Sequence, residues 1–291
     1  MKSFFHYCCR GLKTDLIFAD EREFIAGMNR IGVCYLYCIE KGMPVRIVAF
    51  CLLGNHFHFV LYGTEDATEL FMDYFTKQTA RWTIANREDK FHGNLEVGHW
   101  PALSRERVRE KVVYTLRQTL EAGLQLVPQG YPWSSAGLMF CSQDYILGCC
   151  RKVVSLSGRE RKNLFNTSLS IPEDWNVLPF GMIWPGNYTD IETAQRLFSG
   201  VKDYMYCLNN GNIDKNVYSE MFAESPSIPD MELKDKANAM AGALFGRKSI
   251  GSCSADERIK VAIYLRKELH CGHKQLARIV MMDEDVLRKT V

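Results

Sequence analysis

The apolar positions of this chain change period several times, and each period predicts an element. Residues 3–9, Ser-Phe-Phe-His-Tyr-Cys-Cys, are aromatic and cysteine-rich and read as a strand. Over 21–40, Phe24, Ile25, Met28, Ile31, Cys34, Tyr35 and Cys38 recur at close to helical spacing, with Asp20 in front as a natural N-cap. The β-branched residues near Gly32 weaken the second half of that helix. Residues 45–53 form a continuous β-rich run, as in a strand buried on both faces, until Gly54-Asn55 breaks it. Residues 56–62 alternate and resume as a strand. Leu70, Phe71, Tyr74, Phe75, Gln78 and Trp82 then fall at intervals of three and four, so 65–86 reads as a helix. Residues 91–103, with glycine early and a proline at the end, predict a loop or short strand. Ser104 can cap a helix over 105–122 that stops at Gly123.

This order of elements predicts an α+β fold. One antiparallel sheet is covered by helices on one face, with those at 21–40 and 65–86 together, and a mostly α-helical C-terminal region follows. The texture divides the chain into 1–137, a helical extension over 138–250, and a final segment over 251–291. In that last segment Gln275 to Val280, then Met282 and Leu287, resemble a helix-turn-helix, with Ala277 at the close-packing position. Met281 stands where a turn glycine is usual, and the second helix would begin on the acidic Asp283, Glu284 and Asp285.

Composition narrows the picture. With 291 residues and 47% hydrophobic positions the chain can build one large domain or two modest ones. A net charge of +2 gives no global attraction for nucleic acid, so any such surface must be local. Arg105, Arg107, Arg109 and Arg117, with Lys111, are the candidate patch; a solvated helix face with internal ion pairs explains the same residues. The 11 cysteines include no CxxC pair, which argues against a zinc ribbon, and His270, Cys271 and His273 are too close together for a structural zinc site. The start of the chain does not read as a signal peptide, and no apolar run approaches a membrane span. A reduced, cytoplasmic setting without membrane partners is the expectation.

Two constellations carry candidate chemistry. On a strand, His56 and His58 would point to one face while Phe57 enters the core, so two imidazoles could share a divalent ion; two surface histidines would look the same. On a helix, Tyr114 and Gln118 lie one turn apart and share a face, although a core tyrosine beside a solvated glutamine has the same spacing. Together they supply a tyrosyl nucleophile, two imidazoles and an amide oxygen. That set suits attack on a phosphodiester, where a cation offsets the phosphate charge.

The run Leu53-Gly54-Asn55-His56-Phe57-His58-Phe59-Val60-Leu61 resembles the HUH signature of single-tyrosine transposases. Tyr114-Thr115-Leu116-Arg117-Gln118, then Ala122-Gly123-Leu124 and Tyr131-Pro132-Trp133-Ser134-Ser135, is similar to the tyrosine helix and following segment of the REP-associated branch. Cys9-Arg10-Gly11 after an aromatic strand also fits, and the resemblance covers about residues 3–137. It implies a ferredoxin-like catalytic domain with His56, His58 and Gln118 around Mg²⁺ or Mn²⁺. It further implies Tyr114 as nucleophile on single-stranded DNA near a hairpin or palindrome, giving a 5′-phosphotyrosine and a free 3′-hydroxyl. This sequence departs from the branch in carrying Gln118 where the branch has asparagine. It also lacks a Gln-x-Arg step after the tryptophan of the His92–Trp100 region, which leaves room for a domesticated DNA-binding regulator that does not cut. A plasmid relaxase or replication initiator is the third reading, disfavoured by the placing of the tyrosine and the short chain. The reading leaves an oligomer open.

Overall fold

The computed structural model describes residues 1–9, 15–87, 95–124, 127–210, 228–269 and 271–291. Arg10, Gly11, His92, Gly93, Asn94 and His270, singled out above, lie outside them. Four strands, β1 (Ser3–Cys9), β2 (Arg46–Leu52), β3 (Phe57–Gly63) and β4 (Val97–Ala102), form one antiparallel sheet in the order β2-β3-β1-β4. Helix α1 (Glu21–Glu40) joins β1 to β2, and α2 (Glu65–Asn86) joins β3 to β4. Each connects two strands separated in space by a third, which is the ferredoxin-like arrangement.

Alternation along the strands sorts the two faces. Phe5, Tyr7, Cys9, Phe57, Phe59 and Leu61 face α1 and α2 in the larger core, with Phe24, Met28, Phe71 and Phe75 from the helices. Asp20 caps α1 by accepting from Glu23 N (2.8 Å), and the helix runs unbroken through Gly32. The glycine is there for packing: a Cβ would stand 3.1 Å from both Trp175 and Tyr188.

The opposite face is covered as well. Helix α3 (Arg105–Leu116) packs Val108, Val112, Val113 and Leu116 on Val48, Ala49 and Val60. Coverage on one face therefore holds for α1 and α2 alone. The helix expected over 105–122 is interrupted at Arg117 (φ −95°, ψ 12°) and resumes as α4 (Gln118–Glu121). Gly123, at φ 68°, ends it in the left-handed region glycine tolerates. Pro101 lies inside β4, which an edge strand permits. The other edge, β2, is sealed by the Pro132–Ser135 segment: Leu52 N donates to Trp133 O (2.9 Å) and Ser135 N to Phe50 O (3.0 Å).

Residues 138–210 do not form a separate layer. Trp175, Val177, Ile183 and Tyr188 join the core under α1, whereas Phe198, Tyr204 and Leu208 join the core under α3. The helices Asp230–Phe245, Ala255–Leu269, His273–Val280 and Glu284–Thr290 share a third core that includes Leu233, Ala237 and Ala241. The terminal unit thus begins near 230 and not at 251, because the helix before 250 supplies a wall of its core. Met281 adopts φ 56°, ψ 50°, the left-handed turn a helix-turn-helix needs, and Asp283 caps the last helix. None of the eleven cysteines is joined in a disulfide. Among the described residues no helix is long and apolar enough to cross a membrane.

Candidate active site

The register of the sheet builds the site. β1 pairs with β3 so that Cys8 lies opposite His58 and His6 opposite Val60. The face that carries these side chains is the one α3 crosses. His56 sits one residue before β3, in the turn, yet its ring remains 5.2 Å from that of His58. Tyr114 stands edge-on above this floor, its ring centroid 5.3 Å from His58 and 5.7 Å from His6. The tyrosine is 44% exposed, while His58 and Gln118 beneath it are buried.

The break in the helix aims Gln118. Its Nε2 donates to the carbonyl of Tyr114 (3.0 Å), which turns Oε1 towards His56 Nε2 at 3.4 Å. On the far side of that ring, His56 Nδ1 lies 2.8 Å from Asn55 Oδ1. The neutral ring carries one proton: on Nε2 it would be donated to Gln118 Oε1, whereas on Nδ1, the shorter contact, it leaves Nε2 with a lone pair facing that oxygen. Such a pair of donors fits a cation between them, and the imidazole and amide set suits a divalent ion.

Burial keeps the imidazoles neutral. It lowers His56 to about 4, with Gln118 opposing the shift, and His6 to about 3. His58 is pushed well below the ordinary histidine value by burial and then by its two histidine neighbours. Burial raises the Tyr114 phenol above its ordinary value, an effect Gln118 partly offsets. The phenolate therefore needs a cation or a base.

His6 and Cys8 were not among the expected residues. His6 Nε2 lies 3.3 Å from His58 Nδ1, and Cys8 Sγ lies 3.7 Å from His58 Nε2, so both ring nitrogens of His58 meet β1. His6 Nδ1 is buried without a hydrogen-bond partner among the described residues. The alternation of Ser3–Cys9 puts His6 and Cys8 on one face and was the available signal.

The arginines need correction as a surface. Arg117 is buried (3% exposed) with its Nε 3.2 Å from Glu121, so it cannot meet a phosphate from where it lies. Arg109 is tied to Asp203 and Cys207, and Arg105 donates to the Arg196 carbonyl (2.6 Å). Arg107 reaches solvent but is paired with Glu110 (2.9 Å). Lys111 Nζ, 5.9 Å from the Tyr114 ring centroid, is the cation at the site, with no carboxylate partner among the described residues.

Two other tyrosines are engaged elsewhere, whereas Tyr145 is exposed. The Tyr131 hydroxyl donates to Leu52 O (2.8 Å), and Tyr74 stacks on Tyr37 at 3.9 Å. A second donor group lies on the other face of the sheet, where Glu65, Glu69 and His99 bring one ligand atom each within 4.8 Å of the others. His99 Nε2 is 3.3 Å from Glu65, the geometry of an ordinary surface ion pair.

No family model, no curated protein and no solved structure matches this chain.

Proposed function

We propose that the protein is a single-tyrosine DNA strand transferase, cutting single-stranded DNA near a hairpin or palindromic sequence with Tyr114. The observation that carries this reading is the half-exposed Tyr114 ring, 5.3 Å from His58, above a Gln118 oxygen 3.4 Å from His56. A nucleophile, two imidazoles and an amide converge there from a turn, a strand and a broken helix.

His56, His58 and Gln118 would hold Mg²⁺ or Mn²⁺, and their nitrogen content favours the transition ion. When bound, the ion supplies Lewis-acid neutralisation of the scissile phosphate. The chain's own groups do the rest. Tyr114 Oη attacks phosphorus, the Oη–P bond forms, and the bond to the 3′-oxygen breaks. The phenolic proton leaves to solvent, and the departing 3′-oxygen takes up a proton. The product is a 5′-phosphotyrosine with a free 3′-hydroxyl, which conserves the ester for rejoining. Asn55 holds the His56 tautomer, and Gln118 ties the ligand set to the tyrosine's own backbone.

The test is adduct formation. Hairpin oligonucleotides from the DNA flanking the gene are incubated with protein and Mn²⁺, and protein–DNA species that survive denaturation are counted. Adducts that need both Tyr114 and the ion are the expected result. Absence of adducts with every such hairpin would overturn the enzymatic reading. One observation favours a second reading, a regulator that binds without cutting: His58 is held by His6 and Cys8 on both ring nitrogens. Hairpin binding without adducts would establish it.

A further inference from the structure

Beside Tyr114 the same face carries an indole that the tyrosine and its ligand set do not use. Trp100 lies on edge strand β4 opposite His6, and 52% of it is open to solvent. The ring leans back along the strand over Gly98, two residues earlier on the same face, where a Cβ would come within 2.9 Å of it. It also stacks on His6, with centroids 6.0 Å apart and planes 30° from parallel. His6 in turn meets the Tyr114 ring edge-on. The indole and the tyrosine thus flank the buried His6 imidazole on one face of the sheet, with the Lys111 ammonium beside the tyrosine. A tryptophan is the largest apolar side chain, and this one packs on Gly98 and His6 while half of it stays exposed.

We propose that Trp100 is a stacking platform for an unpaired base of single-stranded DNA, placed next to the phosphate that Tyr114 would attack. The inference rests on the strand-transferase reading and adds to it a contact with the substrate's bases. Every base has a π-face, so the platform is tolerant of sequence, and the glycine at 98 keeps it flat. Lys111 supplies the charge complement for the backbone alongside.

The test uses two probes of equal length and charge: a fluorescent 12-mer oligothymidylate and an all-abasic 12-mer. Binding is followed by anisotropy in EDTA, with folding checked by circular dichroism. Trp100→Ala is expected to weaken the oligothymidylate about 5- to 150-fold, the range base–aromatic stacking spans, and to leave the abasic probe unchanged. Trp100→Phe is expected to recover most of the loss. Gly98→Ala, which keeps the indole but displaces it, is expected to weaken the same probe alone. Equal binding of oligothymidylate by wild type and Trp100→Ala would overturn the platform while leaving the Tyr114 reading intact. A Trp100→Ala loss equal on both probes would overturn it too, by assigning the residue a general structural role. A wild-type protein that binds neither probe and forms no adduct would remove both readings together.

Discussion

Tyr114 is half-exposed and meets His6 and His58 through its ring, so removing the hydroxyl gives up a contact with Gln118 and leaves the histidine floor in place. Tyr114→Phe is expected to abolish the covalent adduct while stability stays within about 0.5 kcal/mol, as for surface changes generally. Adducts that persist in this variant would assign the chemistry to another tyrosine. The histidines below set a pH dependence. In the fold His6 and His56 titrate at about 3 and about 4, below the ordinary 6.5. Between those values and 6.5 the unfolded chain binds protons that the folded chain does not. Stability is therefore complete above about pH 6.5 and falls as pH drops towards 4, by roughly 1.4 kcal/mol per pH unit for each histidine. In EDTA, the thermal midpoint is expected to decrease from pH 7.5 to pH 5; a flat profile would contradict the neutral buried imidazoles. His56, His58, Tyr114 and Gln118 are legible in the sequence because each pair is local, spaced by two across the turn into β3 or by four across the break at Arg117. His6 and Cys8 are not, since only the β1–β3 register brings them across about 50 residues to His58. Nor does local spacing distinguish Arg117, buried, from Arg107, exposed, because burial depends on what lies over the helix.

Among the elements, the strands and the two long helices follow from periodicity and caps, and misreadings occur where tertiary contacts override local preference. The Gly32 region looks weak as a helix, yet Trp175, Ile183 and Tyr188 press on that point and need the absence of a side chain. Gly32→Leu is expected to cost about 1–3 kcal/mol by overpacking, read from a urea transition; an unchanged midpoint would mean the segment over α1 can move aside at no cost. The interruption at Arg117 is equally invisible to a helical period that runs through it, and only the Gln118–Tyr114 hydrogen bond gives it a purpose. In the terminal unit, Met281 holds a left-handed conformation that costs a side-chain residue about 1 kcal/mol. Met281→Gly is therefore expected to raise stability by up to that amount, and a lowered midpoint would show that the methionine's packing outweighs its strain.

At the scale of the whole molecule, the terminal helices are joined to the four-stranded sheet beside the candidate site. Asp230 accepts from Gln275 (2.9 Å) and pairs with Arg278 (3.1 Å), and its side chain lies 3.3 Å from where a Cβ on Gly54 would stand. Asp230→Ala leaves a mostly buried guanidinium without its partner. It is expected to cost about 2 kcal/mol and to speed hydrogen exchange in the helices from 255 onward more than in β1–β3. Uniform exchange across both regions would argue against a distinct latch. The placing of β1 has a consequence of another kind, in time. β1 is an inner strand whose two partners, β3 and β4, lie later in the chain and so are made later, and Gln118 later still. At about 5–20 residues per second, synthesis runs on for on the order of 5–20 s between Cys9 and Gln118. During that interval the cysteine-rich β1 does not yet have both partner strands and Gln118 together around it. On the strand-transferase reading, a nascent or prematurely terminated chain that ends before Tyr114 lacks the proposed nucleophile, even though all four strands of the sheet have already been made.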